Sequence, residues 1–220
     1  MFANLDLNQL AVLLVPLLFA VTCHEVAHGY VAFKLGDATA QRAGRLTLNP
    51  LKHLDFVGSL LLPLILKLSG APILFGYAKP VPVDFGRLRS RRNAILMVSA
   101  AGVAANLALA ALSGVFLQIL LSIEPYWRIP FLRPLVLDLV QMLGYSVLIN
   151  SVLAVFNLIP IPPLDGSRLL AHFLPPALRL PYVRLERFGM LILIALLVTG
   201  SLSHLMNLLI RPLVSFFLGR

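Results

Sequence analysis

The chain is organised around Thr22-Cys23-His24-Glu25-Val26-Ala27-His28-Gly29, which reads H-E-x-x-H and closes an apolar run that begins at Leu10. On a helix, His24 and His28 lie one turn apart on the same face, so two imidazole nitrogens can reach one ion. Glu25 stands beside the first imidazole, where it can take a proton from water rather than bind the ion. Three ionisable residues in an apolar helix are costly, which indicates a functional site.

This motif alone leaves other interpretations open. The two imidazoles could serve helix packing, with Glu25 paired to an arginine. A metal site built on them also lacks a third ligand, which the rest of the chain must supply. Cys23 points about 100° round the helix from its neighbour, so we predict a small packing residue there. His53 is predicted to be an interfacial or supporting group, with metal binding as the alternative.

The composition is that of a polytopic membrane protein. Hydrophobic residues make up 59% of the 220 positions and charged residues 12%, and the mean hydropathy is +0.91. Soluble domains are about half apolar and a quarter charged. A spanning helix needs about 20 apolar residues, so the chain has room for about four to six spans. The net charge of +9 comes from basic residues in short loops, a pattern that orients membrane proteins and argues against nucleic acid as a partner.

The apolar segments and the basic loops together predict a topology. Four long apolar segments follow one another, at residues 8–35, 93–123, 134–159 and 188–217. The last is either one span with a tail or a tight hairpin, and the first has no features of a removable signal peptide. Lysine and arginine concentrate at 34–52, 87–92 and 179–187, which predicts that these three loops are cytoplasmic.

The region between the first two basic loops must then cross the membrane an even number of times. We predict that residues 54–83 form a re-entrant excursion, a short helix going in and an extended, β-like segment coming out. Residues 45–48 also alternate like a short strand. The alternative for 54–83 is one full span followed by a poorly charged outer loop.

A second polar feature interrupts the late part of the chain. Pro160, Pro162 and Pro163 stop any helix, because proline lacks an amide donor and blocks the preceding turn. The break leaves Asp165 as an acid at membrane depth before a fresh helix. By itself it would be read as a helix cap; beside an imidazole pair that lacks a third ligand, it is favoured as that ligand. Asn106 is either an interhelical hydrogen-bonding group or part of the active site.

The two motifs together resemble those of the site-2 proteases, which are intramembrane zinc metalloproteases. The resemblance rests on residues 24–29 and on residues 157–166, which read Asn-Leu-Ile-Pro-Ile-Pro-Pro-Leu-Asp-Gly. Residues 44–50 and 76–83 are similar to the compact subgroup that lacks appended domains. The similarity covers about residues 10–170. Val103 departs from a proline that is frequent in the family, and Ser167 stands where a second glycine is common.

The resemblance implies a site and a reaction. One zinc ion per chain would be bound by His24, His28 and Asp165, with Glu25 as the general base for a zinc-activated water. Asn106 and Asn157 would be the family's asparagines near the site, as possible donors to the oxyanion. The substrate would be a transmembrane helix of another protein, cut after local unwinding.

The resemblance also implies a single membrane-embedded metalloprotease domain over residues 1–220. Its catalytic core would lie at about 8–175 and its C-terminal helices at 188–218. The expected location is the cell membrane, with the active site toward the cytoplasmic side. The sequence makes no prediction about the oligomeric state.

Two other classes of function use the same residues. A membrane metal transporter could employ them as a transit site, although such transporters tend to show repeated halves and the two motifs here are unlike. A non-catalytic membrane scaffold descended from a protease is the second alternative. Glu25→Gln distinguishes hydrolysis from transport, and failure of the zinc-bound protein to cut any helical substrate would favour the scaffold.

Overall fold

Every regular element of the part of the chain that we describe is helical. The computed structural model describes residues 7–61, 65, 78–89, 91–123 and 130–219. The α-helices are α1 (Leu7–Lys34), α2 (Thr39–Arg42), α3 (Arg91–Ser122), α4 (Arg133–Leu158), α5 (Asp165–Phe173), α6 (Pro176–Arg184), α7 (Glu186–Val198) and α8 (Ser201–Phe217). A 3-10 turn at Pro50–Lys52 and a π-helical turn at Phe56–Leu61 lie between α2 and α3.

Three of these helices are long and apolar enough to cross a membrane. They cover Asn8–Lys34, Arg92–Ser122 and Arg133–Leu158, with mean hydropathies of 2.1, 2.1 and 1.8. Helices α7 and α8 form a fourth candidate, but they meet at an angle of 81°, which marks a broken span or a re-entrant loop. The protein is therefore a membrane protein with three or four candidate spans in the described ranges, against the four to six predicted.

The three long helices pack against one another through small residues. Ala20 of α1, Ala110 of α3 and Ala154 of α4 are fully buried, whereas large apolar residues such as Leu112 and Val115 face outward. Small side chains let helix backbones approach closely where lipid offers no hydrophobic driving force between helices. Helix α4 lies against both α1 and α3, and α5 lies against α3. This arrangement brings the start of α5 to the part of α1 that carries the H-E-x-x-H motif.

The break after α4 occurs where the prolines predict it, since α4 ends at Leu158 and α5 begins at Asp165. Glycine permits the close packing of this region. A Cβ atom at Gly166 would collide with the carbonyl of Leu158, and one at Gly189 would collide with the carbonyl of Pro162. Glycine at these two positions therefore lets α5 and α7 abut the broken segment.

The β-like segment was a wrong prediction for the residues that the structure describes. Residues 45–48 are irregular, with a bend at Thr47, and residues 78–84 are irregular without a partner strand in the described part of the chain. Pro80 and Pro82 have no amide hydrogen to contribute to a ladder. The amides of Val81 and Asp84 bond to side chains instead. Half of the re-entrant excursion predicted for 54–83, namely residues 62–64 and 66–77, lies outside the described residues.

Candidate metal centre

Two imidazoles and one carboxylate converge at the junction of α1 and α5. The Nε2 atoms of His24 and His28 are 3.0 Å apart. Asp165 Oδ2 lies 3.4 Å from His24 Nε2 and 3.1 Å from His28 Nε2. Within the described ranges these residues form the one cluster of three His, Cys, Asp or Glu side chains spaced to hold a metal ion, with ligand atoms within 4.8 Å of one another.

The outer nitrogen of each imidazole is held by an oxygen. His28 Nδ1 lies 2.7 Å from the carbonyl oxygen of Val98, and His24 Nδ1 lies 2.6 Å from Asn106 Oδ1. An amide or main-chain carbonyl oxygen accepts but cannot donate, so each Nδ1 carries the hydrogen. Both Nε2 atoms are then left with a free lone pair directed toward Asp165, the arrangement typical of metal-binding histidines.

The convergence of these atoms fits a cation. The two Nε2 atoms and Asp165 Oδ2 are all acceptors, and they have no hydrogen to share. Asp165 Oδ2 is also buried without a hydrogen-bond donor, which is unfavourable for a carboxylate oxygen. A divalent ion between the three atoms removes both the repulsion and the unsatisfied charge. Two imidazoles and one carboxylate are a ligand set that catalytic zinc sites use.

Glu25 lies beside this cluster without belonging to it. Its Oε2 accepts a hydrogen bond of 2.7 Å from the amide of Val81. Because Pro80 and Pro82 flank that residue, Val81 supplies the one amide hydrogen at this point of the chain. The carboxylate is thereby directed into the same space as the metal cluster.

The segment that holds Glu25, residues 78–84, is itself fixed from several sides, and we call it the strap. Arg45 Nη2 donates to the carbonyl of Lys79 at 2.6 Å, and the amide of Lys79 donates to the carbonyl of His53 at 2.9 Å. Farther along, the amide of Asp84 donates to Asp37 Oδ2 at 2.7 Å. The strap is therefore held in place by polar groups that follow α1 in sequence.

His53 is one of these supports, and it lies outside the metal cluster. Its side chain is almost completely buried, and its Nε2 lies 2.9 Å from the carbonyl of Thr47. The alternative of a metal-binding role finds no support in this geometry.

Arg45 gives a test of the strap. Its guanidinium is buried, with 7% of the residue exposed. Arg45→Met keeps the apolar stem but removes the donor to Lys79, so the strap loses one of its supports and holds Glu25 less firmly. If Glu25 is the general base that the resemblance implies, peptide hydrolysis should fall about ten- to hundredfold, because small displacements of a catalytic group are costly. Affinity for a zinc ion should change less than about twofold, since none of His24, His28 and Asp165 moves.

The control for this variant is Arg42→Met, which removes the same charge from an exposed position on α2. Cleavage rates and zinc affinity are measured on the same purified samples. Wild-type cleavage by Arg45→Met would show that the strap does not position Glu25.

The two predicted asparagines occupy different places. Asn106 is fully buried, and besides His24 it contacts the Ala20 carbonyl at 3.3 Å and Asn150 Oδ1 at 2.8 Å through its Nδ2. Asn157 lines the cavity and donates back to the carbonyl of Leu153 at 3.0 Å. Asn106 therefore lies behind His24, and Asn157 is the one of the two that borders the cavity.

The cluster opens into a cavity of about 280 Å³. Its walls combine the polar groups of α1 and α5 with apolar residues from the strap, α3 and the break after α4. The lining residues are His24, Glu25, His28, Pro80, Val81, Val83, Phe85, Val98, Ser99, Asn157, Pro163, Leu164, Asp165 and Arg168. The space beside the metal cluster therefore combines polar side chains with apolar walls.

Three partners of the site were missed by sequence reasoning. The Val98 carbonyl and the Val81 amide are main-chain groups, which carry no residue-type signal. Asn150 did carry a residue-type signal, since it is a carboxamide in the apolar run of α4. Such a group needs a polar partner in a membrane helix.

Comparisons with known proteins agree with this geometry. Residues 132–200 match the family described as Peptidase family M50. The chain is 37% identical over 205 residues to the Bacillus subtilis protein named "Putative zinc metalloprotease YwhC", covering 93% of this chain and 88% of that protein. No solved structure matches.

Two mycobacterial proteins named "Putative zinc metalloprotease Rip2" are also similar. The Mycolicibacterium smegmatis protein is 33% identical over 188 residues, covering 85% of this chain and 66% of its own length. The Mycobacterium tuberculosis protein of strain H37Rv is 28% identical over 186 residues, covering 84% and 66%.

The chain belongs to peptidase family M50, the site-2 protease family, and is a zinc metalloprotease. The resemblance stated from the two motifs is thereby confirmed.

Proposed function

We propose that the protein is an intramembrane zinc endopeptidase that hydrolyses peptide bonds in transmembrane segments of other membrane proteins. The observation that carries this proposal is the convergence of His24, His28 and Asp165 with Glu25 on one cavity. These residues come from two distant segments. The first of these segments is part of α1, which is long enough to span the bilayer. We assign one zinc ion per chain to the three converging side chains.

When bound, zinc supplies a Lewis acid that polarises the scissile carbonyl and lowers the pKa of water toward about 7. Glu25 accepts the proton of the attacking water and returns it to the leaving amine. Its Oε2 is occupied by the Val81 amide, which leaves Oε1 for proton transfer. The strap therefore fixes the direction in which the base faces.

Asn157 is the better placed of the two asparagines for the substrate. One hydrogen of its Nδ2 is used by Leu153, and the second is available to an oxyanion or a substrate carbonyl in the cavity. The amide of Asn106 is already shared between two oxygen acceptors. We therefore assign Asn157 to the substrate and Asn106 to the support of His24.

The proposed substrate is a helix that unwinds to enter the site. Pro80, Val81 and Val83 of the strap line the cavity, so an unwound peptide would lie along them in extended form. A lipid-embedded helix exposes its scissile bond only after such unwinding, because its backbone groups are otherwise paired with each other.

The proposed orientation places the active site toward the cytoplasm. Helix α1 ends at Lys34, shortly after His28, and the basic residues 87–92 precede the end of α3 that contacts His28. An excess of lysine and arginine marks cytoplasmic loops. The whole chain would then be one catalytic domain, with its core at about 8–175 and its C-terminal helices outside that core.

The test is cleavage by the purified protein in liposomes that contain a helical transmembrane substrate. We expect fragments cut within the membrane segment, loss of cleavage with 1,10-phenanthroline, and recovery on adding zinc. The same liposomes report zinc entry through an enclosed dye. Zinc flux without fragments would favour a transporter, and zinc retention with neither flux nor fragments would favour a scaffold.

A further inference from the structure

We propose that Asn150 is a positioning residue that, through Asn106, sets which nitrogen of His24 carries the hydrogen. The proposed metal site is the basis of this inference. Asn150 lies on α4, contacts neither Glu25 nor Asp165, and does not line the catalytic cavity. Its effect on the metal site would be transmitted by a chain of hydrogen bonds that crosses all three long helices.

The chain starts at a main-chain carbonyl. Asn150 Nδ2 lies 2.9 Å from the carbonyl oxygen of Ser146, one turn earlier on α4. Asn150 Oδ1 accepts from Asn106 Nδ2 of α3 at 2.8 Å. Asn106 Oδ1 in turn lies 2.6 Å from His24 Nδ1 of α1. Three consecutive contacts therefore connect Ser146 to the first imidazole of the metal cluster.

The direction of every bond follows from that first carbonyl. A carbonyl oxygen can only accept, so Asn150 must turn its NH2 group toward Ser146 and its oxygen toward Asn106. Asn106 must then present its NH2 group to Asn150 and its oxygen to His24. An oxygen at this place requires a hydrogen on His24 Nδ1. The tautomer of His24 is therefore determined by Asn150, which acts on the imidazole through Asn106.

The burial of both asparagines prevents these hydrogen bonds from reversing direction. Asn106 is 0% exposed and Asn150 is 1% exposed, so no bulk water can replace a lost partner. Flipping either carboxamide would place oxygen against oxygen, which is unfavourable for buried groups that water cannot reach. The carbonyl of Ala20 is a second acceptor for Asn106, but at 3.3 Å it is the longer of the two contacts.

The consequence for metal binding is direct. Only the tautomer with hydrogen on Nδ1 leaves the Nε2 lone pair free toward Asp165 and His28. Groups that hold the outer nitrogen of a ligating histidine typically change metal affinity 10- to 100-fold when removed. Asn150 acts one hydrogen bond farther from His24 than Asn106 does, and the Ala20 carbonyl also helps to orient Asn106. We therefore expect the loss of zinc affinity to lie near the lower end of this range, at about tenfold.

The experiment compares zinc affinity by chelator competition in the purified full-length protein. Asn150→Ala should bind zinc about tenfold more weakly, and its proteolysis should recover when zinc is raised to saturation. Ser151→Ala is the matched control. Ser151 is the next residue on α4 and is likewise buried, with 0% exposed, and its hydroxyl has no partner in the described part of the chain. This control should bind zinc like the wild type.

Ser146→Ala separates positioning from packing. It removes the Ser146 hydroxyl, which contacts Ser113 at 2.7 Å and Asn150 at 3.2 Å, but it keeps the carbonyl that directs the chain. Zinc affinity should stay within about twofold of the wild type. A general loosening of the helix interface would instead weaken zinc binding in Ser146→Ala and Asn150→Ala alike, and would overturn the inference.

Two further outcomes are decisive. Asn150→Ala with wild-type zinc affinity would overturn the positioning role while leaving the proposed protease intact. A wild-type protein that binds no zinc would overturn the proposed function together with this inference. The absorption spectrum of the cobalt-substituted protein provides an independent readout. It should differ between Asn150→Ala and the wild type and should be unchanged in Ser151→Ala.

Discussion

Replacing Glu25 by glutamine is expected to stop peptide hydrolysis while leaving zinc in place. Glutamine has nearly the same shape and can still accept the Val81 amide hydrogen with its carbonyl oxygen, so the strap stays where it is. It cannot take a proton from water. General base catalysis contributes about 10²- to 10⁴-fold in rate, and the cleavage rate should fall by that factor. Zinc content should match the wild type, because Glu25 lies outside the cluster of converging ligand atoms.

The measurement pairs metal analysis with single-turnover cleavage in the same preparation. Glu186→Gln, which removes the same charge at the start of α7, is the matched control and should cleave like the wild type. If Glu25→Gln also lost its zinc, Glu25 would be a metal ligand. If it cleaved at the wild-type rate, the base would have to be another group.

Adding a single methyl group at Gly102 is expected to disable the metal site. Gly102 lies on α3 directly against the two imidazoles. A Cβ atom there would collide with His28 Nε2 and would lie 2.5 Å from His24 Cε1. One of the obstructing atoms, His28 Nε2, belongs to the candidate metal cluster, and the others are ring atoms of His24. Relief of the clash must therefore move the imidazoles. We expect zinc affinity to fall at least about a hundredfold, the upper end of what loss of ligand orientation costs, with hydrolysis falling in parallel.

Gly144→Ala is the control for this change. Gly144 lies within α4, and an added Cβ atom would meet nothing within 4 Å. Alanine in a helix interior is favoured over glycine by about 0.5–1 kcal/mol, so this control should be at least as stable as the wild type and fully active. Wild-type zinc affinity in Gly102→Ala would mean that the imidazoles bind the ion in a different arrangement.

The sequence predicted the main components of the site because their signals are local. The spacing of His24 and His28 requires only the period of a helix, and Pro160, Pro162 and Pro163 end α4 by removing donors. The need for a third ligand then pointed to Asp165, and the structure brings that carboxylate to the imidazole pair. The catalytic roles of these residues stay predictions until the variants are measured.

The supports of the site could not be predicted in the same way. Whether Asn106 meets a substrate or another helix depends on how α1, α3 and α4 pack, which no single segment specifies. The strap resembled a strand because its prolines favour extended backbone, but proline also removes the donors that a strand needs. The described ranges hold three candidate spans, or four if α7 and α8 form one broken span across their 81° bend. The upper figure meets the lower limit of the four to six spans predicted for the whole chain. Hydropathy does not reveal that bend, so the sequence left the last apolar segment open between one span and a hairpin.

The two imidazoles depend on different kinds of partner, and this affects how readily each can be lost during evolution. His24 is held by a side chain, so one nucleotide change in the codon for Asn106 can remove its support. His28 is held by the carbonyl of Val98, a group that every amino acid possesses. Val98 is itself buried, with 2% exposed, so random mutagenesis should recover apolar residues of similar size at position 98. It should recover very few residues of any kind at position 106, although both positions support the same candidate site.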